Sequence, residues 1–199
     1  MSRLGKKPIS IPKGVKVFIE GNTIKAEGPK GKISKTIHSR MKFKVLGDSA
    51  PDVSKGVSVT VPENSQFVIE RPSDDKLDKS LHGLSRKLVT NMIEGVVKGF
   101  EKQLEVSGLG YRATVIKEGF NIEKVYTHPV LVPFPEEIKV EIKEGKVIVR
   151  GVDKELVGRI ASDIRRIKPV EPYKGKGIKY VGEHVRRKAG KSVVKTAGA

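Results

Sequence analysis

Between Glu171 and Tyr180 the chain reads Glu-Pro-Tyr-Lys-Gly-Lys-Gly-Ile-Lys-Tyr. Lys174, Lys176 and Lys179 supply charge. Gly175 and Gly177 add no side chains between them, so a phosphate chain can approach the backbone closely. Tyr173 and Tyr180 offer rings that stack on bases or sugars. Arg186, Arg187, Lys188 and Lys191 follow as a second cationic cluster, and arginine can grip phosphate with two parallel N–H bonds. The chemistry in view is polyanion binding. A solvated basic tail that aids solubility is the rival reading. Arg159, Arg165, Arg166 and Lys168 crowd a helical stretch just before this segment. The helix dipole favours cations at a C-terminal end, which accounts for Arg165, Arg166 and Lys168 but poorly for Arg159. RNA contact and plain solvation both stand there. At the other end of the chain, Arg3, Lys6 and Lys7 precede the first acid, Glu20. Such an arm is either an RNA-seeking segment or an ordinary unstructured terminus.

Catalytic arrangements are thin. Gly108-Leu109-Gly110-Tyr111-Arg112-Ala113 fits a dinucleotide-binding pattern, but that loop must open a helix, and Thr114-Val115-Ile116 reads as strand. Gly190-Lys191-Ser192 resembles the end of a P-loop, yet Val185 stands where its first glycine is required. His38, His82, His128 and His184 lack metal-ligand spacing. Asp74-Asp75 and Glu136-Glu137 read as a helix start and a turn. The sequence therefore implies no enzyme, no cofactor, no metal and no small-molecule substrate.

Composition narrows the class. The 199 residues carry 40 Lys and Arg against 23 Asp and Glu, a formal charge of +17. Such a charge favours a polyanionic partner and speeds the encounter with it. No apolar run reaches the roughly 20 residues of a membrane span. The N-terminal stretch has no apolar segment after its charges, unlike a secretory signal. Cysteine is absent, which excludes disulfides and fits a reducing cytoplasm. A nucleoid DNA-binding protein, an RNA-processing enzyme and a membrane-surface protein share parts of this profile. Competition between DNA and ribosomal RNA, RNA turnover, and liposome binding that survives RNA would distinguish them.

The elements that position these residues follow from hydrophobic period. Val15, Val17 and Ile19 alternate, then Ile24 and Ala26, around a Gly21-Asn22 turn. Val57, Val59 and Val61 alternate, then Phe67 and Ile69, and the polar stretch from Gly47 to Gly56 reads as a loop. Ser73 is the expected N-cap of a helix running to about Gly99, with Leu77, Leu81, Leu84, Leu88, Met92 and Val96 as its core-facing stripe. Leu104 and Val106, Val115, and Ile122 mark further strands. Ile138, Val140 and Ile142 pair with Val147 and Val149 across Glu144-Gly145. Asp153 opens a second helix carrying Leu156, Val157, Ile160, Ala161, Ile164 and Ile167, which Pro169 stops. Val68 to Asp74 matches Val147 to Asp153, and Leu77 matches Leu156 in the same register. A rival register pairs Pro12 to Gly28 with Pro135 to Gly151, but only the first leads into a helix in both copies. The expected fold is α+β: two similar small domains, each a mostly antiparallel sheet packed with one helix, plus a basic C-terminal tail. The expected divisions are residues 1–99, 100–168 and 169–199.

Residues 171–180 also resemble the signature segment of a bacterial family, the sixth protein of the large ribosomal subunit. Met1 to Lys6, Glu70 to Asp74, Leu81 to Leu84, Gly108 to Arg112 and Gly151 to Lys154 are similar to that family too. The resemblance covers essentially the whole chain, with a longer stretch near Gly47–Gly56. It implies two domains of common ancestry and no catalysis. It also implies binding to large-subunit ribosomal RNA near the factor-binding region, beside the sarcin–ricin loop and stalk base, and contact with neighbouring ribosomal proteins. The RNA-contacting segment would be Tyr173 to Tyr180, extended through Arg186, Arg187, Lys188 and Lys191.

Overall fold

The computed structural model describes residues 5–46, 59–61, 65–108, 110–116 and 119–188, with backbone alone at 59–61. The 47–56 loop, Arg3 and Lys191 lie outside the described residues. The chain forms two compact units: Met1–Phe100 with Gly151–Lys154, and Glu101–Arg150 with Glu155–Ala199.

The first unit holds β1 (Ile9–Ser10), β2 (Lys16–Glu20), β3 (Thr23–Gly28), β4 (Gly31–Thr36), β5 (Lys42–Leu46), β6 (Val59–Val61), β7 (Gln66–Glu70) and α1 (Lys76–Val97). Gly21-Asn22 joins β2 to β3, with Gly21 at φ 57°. Val17 faces Ala26 and Ile19 faces Ile24 across the ladder. These four residues are at most 1% exposed, so the alternation read from sequence is the core face. The strands form two sheets, β4-β3-β2-β6 and β1-β7-β5.

The second unit holds β8 (Phe100–Ser107), β9 (Arg112–Ile116), β10 (Gly119–Glu123), β11 (Val130–Val132), β12 (Ile138–Lys143), β13 (Lys146–Gly151), α2 (Lys154–Ile167) and β14 (Gly177–Tyr180). Its sheets run β12-β13-β8-β14 and β11-β10-β9. Glu144 and Gly145 both take positive φ, 51° and 74°, the geometry of a two-residue hairpin turn that matches strand twist. Each α+β half thus distributes its strands over two sheets rather than one.

The two halves share one plan. In each, the first strand and one earlier strand, β5 or β12, flank the strand that enters the helix: β1-β7-β5 and β8-β13-β12. A three-strand meander accompanies it, β4-β3-β2 or β11-β10-β9. This equates β7 with β13 and α1 with α2, as in the register joining Val68–Asp74 to Val147–Asp153. The additions differ: β6 beside β2, and β14 beside β8. The segment read as tail therefore supplies a strand, and its Ile178 is fully buried. Flanking lysines and glycines conceal that strand from a hydrophobic count.

Helix α1 departs from expectation in two ways. Its N-cap is Asp75, not Ser73, and makes no side-chain capping bond. The Ser73 hydroxyl instead donates to Asp78 Oδ2 at 2.6 Å and accepts from the Asp75 N–H at 3.2 Å. The buried face is also rotated. It comprises Asp78, His82, Ser85, Val89, Met92, Ile93, Gly95 and Val96, whereas Leu77 and Leu84 are 53% and 55% exposed. Two of the inward polar groups, Asp78 and His82, are tolerated because they are paired. Ser73 and the Arg40 guanidinium, 3.3 Å from Asp78 Oδ1, hold the Asp78 carboxyl below the usual carboxylate range. His82 Nε2 donates to the Ile69 carbonyl at 2.7 Å while Nδ1 accepts from Arg71 at 3.2 Å. The orientation has a direct check by urea unfolding. Met92→Ala is expected to cost about 2–5 kcal/mol, and Leu84→Ala no more than about 0.5 kcal/mol. Equal costs would mean that the stripe faces inward after all.

In α2 the expected stripe does pack inward: Val157, Ile160, Ala161, Ile164 and Ile167 are buried. Leu156 is only half-buried. The helix starts directly after Asp153, whose carboxylate pairs with Lys35 at 3.1 Å, and ends two residues before Pro169.

Candidate nucleic-acid interface

Helix α2 ends with Arg165 and Arg166 in its last turn, and the chain then folds back as a closed loop. The Glu171 N–H donates to the Lys176 carbonyl at 2.8 Å, and the Gly175 N–H donates to the Glu171 carbonyl at 3.0 Å. The Ile178 N–H donates to the Lys168 carbonyl at 2.8 Å, tying the loop base to the helix end. The Ser107 hydroxyl, at the end of β8, lies 3.1 and 3.0 Å from the Gly175 and Gly177 carbonyls. Its one proton is shared between them.

The glycines do different work from that expected. Gly177 (φ 141°) gives room to the chain itself, because a Cβ there would lie 2.7 Å from the Pro169 oxygen and 2.7 Å from Val170 Cα. Gly175 (φ 72°) gives room to Arg187, whose Nη2 would lie 3.0 Å from an added Cβ. The Lys188 N–H also donates to the Pro172 carbonyl at 2.9 Å. The loop tip and Arg187–Lys188 are thereby gathered into one basic surface, although they are separate in sequence. Lys174, Lys176, Arg186, Arg187 and Lys188 are exposed there, and none of them pairs with a carboxylate among the described residues. Tyr173 is 54% exposed beside them.

Other expected contact residues are already committed. Lys179 lies opposite Glu105 in the β14–β8 ladder, and its Nζ is 3.2 Å from the Glu105 carboxylate. Tyr180 has Lys102 Nζ at 5.7 Å and Arg165 at 5.8 Å from its ring centroid, which suits cation–π attraction more than base stacking. Arg165 Nε donates to Glu183 Oε2 at 3.2 Å, and its Nη2 bonds the other carboxylate oxygen. The Tyr180 N–H reaches Glu183 Oε2 at 3.0 Å. Arg159 pairs with Glu155 at 3.1 Å on an exposed face. Arg166 stands 3.6 Å from Asp163 but keeps 79% of its side chain exposed. In the first unit, Lys6 and Lys7 are exposed on a segment seated against α1. Arg86 Nε donates to the Lys7 carbonyl at 2.9 Å, and Gly5 lies so close to His82 that a Cβ would sit 2.6 Å from its ring.

Sequence reasoning missed Glu105 and Glu183, the acids that position Lys179 and Arg165. No local spacing links them to their partners. The Arg165 guanidinium, then the Tyr180 N–H, hold the Glu183 carboxyl below its ordinary range, and Glu183 in turn raises Arg165. A depressed carboxyl stabilises the fold above its unfolded pKa and loses that contribution as pH falls through its folded value. Glu183→Gln is thus expected to be less stable than the parent at neutral pH, with the gap closing below about pH 4. Urea unfolding at both pH values measures it, and a gap of constant size would exclude this role for Glu183.

The 108–113 segment runs from the end of β8 into strand β9, so no helix follows its glycines. Gly108 makes room for the Tyr111 ring, 2.3 Å from where a Cβ would stand.

Comparison with known proteins agrees with this architecture. The family model described as Ribosomal protein L6 matches residues 107–181, which include α2, the closed loop and β14. Large ribosomal subunit protein uL6 of Desulfitobacterium hafniense is 50% identical over 200 residues, covering 100% of this chain and 99% of that protein. The proteins of that name from Carboxydothermus hydrogenoformans and Shouchella clausii are each 46% identical, covering 96% of this chain and 97% and 99% of their own lengths. With such identity sustained from end to end, the chain belongs to the ribosomal protein L6 family.

Proposed function

We propose that this chain is a non-enzymatic structural constituent of the large ribosomal subunit that binds ribosomal RNA through the surface built by the 169–176 loop and residues 186–188. The observation that carries this reading is the Lys188–Pro172 hydrogen bond with Arg187 lying on Gly175. Together they concentrate, on one rigid frame, cations that have no carboxylate partner among the described residues. Lys174, Lys176, Arg186, Arg187 and Lys188 meet phosphates, Tyr173 meets a base or sugar, and Arg166 extends the surface along α2. Lys179, Arg165 and Tyr180 act as positioning residues within the frame, with Gly175 and Gly177 as its close-packed points. Arg159, and Lys6 and Lys7 in the other unit, add longer-range attraction, as do Arg3 and Lys191. Folded RNA is recognised mainly by shape, because phosphates carry little sequence information and a paired major groove is hard to read.

In this reading residues 1–99 and 100–168 are the two bodies and 169–199 the RNA-binding extension, which lends one strand to the second body. The binding place is the factor-binding region, beside the sarcin–ricin loop and stalk base, in cytoplasmic ribosomes with neighbouring large-subunit proteins as further partners. Sedimentation of a lysate through high salt tests the class, since the chain is expected to remain with the large subunit. Chemical probing of subunits carrying the parent chain or none tests the place. Protection that changes elsewhere but not at the sarcin–ricin loop would refute it.

A further inference from the structure

Helix α1 carries an apolar seam that its own unit covers only in part. Leu77 and Leu84 are 53% and 55% exposed, while Leu81 and Leu88 between and after them are half-buried, one side packed on the core and the other open. Their spacing of four, three and four is the pattern that packs a second helix at a shallow crossing angle. The core-facing positions along the same turns are Asp78, His82 and Ser85. Apolar surface is thus left outside while Asp78 and His82 are turned inward and paired, the reverse of what folding alone favours. Lys76 and Lys87 of α1 and Lys98 just past its end recur every eleven residues, close to three turns, and so fall on one line, which the exposed Glu94 shares. That line borders the leucines on the side away from the core. All three lysines are exposed, and none pairs with a carboxylate among the described residues.

We propose that this face seats an amphipathic helix of a neighbouring large-subunit protein, with an apolar seam on the leucines and carboxylates against the lysines. The inference rests on the ribosomal reading above. RNA fits less well, since phosphates satisfy the lysines but leave the leucines without an apolar partner. Because Leu77 and Leu84 are exposed, replacing either leaves the core intact.

The test places a photoreactive amino acid at position 77 or 84 and irradiates purified large subunits. Mass spectrometry then identifies what was captured. Both positions are expected to reach one helical segment with leucine-type residues three and four apart and Asp or Glu on its flank. Combining Lys76→Glu, Lys87→Glu and Lys98→Glu is expected to lower the yield roughly tenfold, by like-charge repulsion at the rim. Capture of ribosomal RNA or of a basic segment, no capture from subunits that contain the chain, or an undiminished yield in the lysine variant overturns this inference alone. Subunits that contain none of the chain overturn the ribosomal reading with it.

Discussion

Replacing Lys174, Lys176, Arg187 and Lys188 together with alanine is expected to flatten the salt dependence of RNA binding by about 3 on a log–log scale. Each phosphate-bound cation contributes roughly 0.7–0.9 to that slope. At about 1 kcal/mol for each solvent-accessible contact, affinity falls roughly a thousandfold. Lys179→Ala is the contrasting case. Its ammonium already faces Glu105 at 3.2 Å, so it releases few counterions on binding, and its loss is expected to change the slope by less than about 0.3. Binding of large-subunit ribosomal RNA measured across a salt series decides between them. If the fourfold variant kept the parent slope, the gathered cations would not be the contact surface. If Lys179→Ala matched any one of the four, the division between free and committed cations would fail. Stability should barely change in the fourfold variant, because these side chains are exposed and have no carboxylate partner among the described residues. A lost affinity can then be read as lost contact.

That division was the part of the site the sequence could not reveal. The cations themselves are plain in a stretch such as Tyr173–Tyr180, because charge is a property of each residue alone. Their availability is a property of topology. Glu105 neutralises Lys179 only because β14 pairs with β8 in a register that sets them opposite, and Glu183 reaches Arg165 only after the turn at Gly182. The same distinction governs the fold. The Val17/Ile19 and Ile24/Ala26 hairpin and the Glu144-Gly145 turn were legible because period two and turn chemistry are local signals. The inward face of α2 was legible because its apolar side has no competitor. In α1 the apolar stripe and the buried face differ. Asp78 and His82 are drawn inward by Arg40, Ser73, Arg71 and the Ile69 carbonyl, and Arg40 comes from a distant stretch of chain. Strands β1, β11 and β14 have 2, 3 and 4 residues, too short for periodicity to register. Their membership is decided by the neighbour they pair with.

Gly177→Ala is expected to cost about 3 kcal/mol and to weaken RNA binding without removing a single charge. Two penalties combine. The φ of 141° is one that an alanine rarely adopts, and the new methyl would stand 2.7 Å from both the Pro169 oxygen and Val170 Cα. Those neighbours are backbone atoms and cannot rotate aside. Relief requires the 169–170 segment of the loop to move off β14. That motion strains the Ile178–Lys168 bond and the Glu171–Lys176 closure, and it loosens the seat of the fully buried Ile178. Gly182→Ala separates the two penalties. Its φ is 83°, yet no atom lies within 4 Å of the added carbon, so only backbone strain of about 1–2 kcal/mol applies. Thermal unfolding should therefore place Gly177→Ala several degrees below Gly182→Ala, at about 2–4 °C per kcal/mol for a chain of this size. The binding experiment adds a second signature. Removing cations lowers affinity and flattens the salt slope together, whereas displacing the loop that carries them lowers affinity at nearly unchanged net charge. Some phosphate contacts survive in an altered arrangement, so the slope should fall by less than in the fourfold variant at comparable affinity. If Gly177→Ala unfolded at the same temperature as Gly182→Ala and bound RNA like the parent, the Lys-Gly segment would be a passive tether for its lysines. A frame in which a buried strand holds an exposed loop rigid against phosphates would then be wrong.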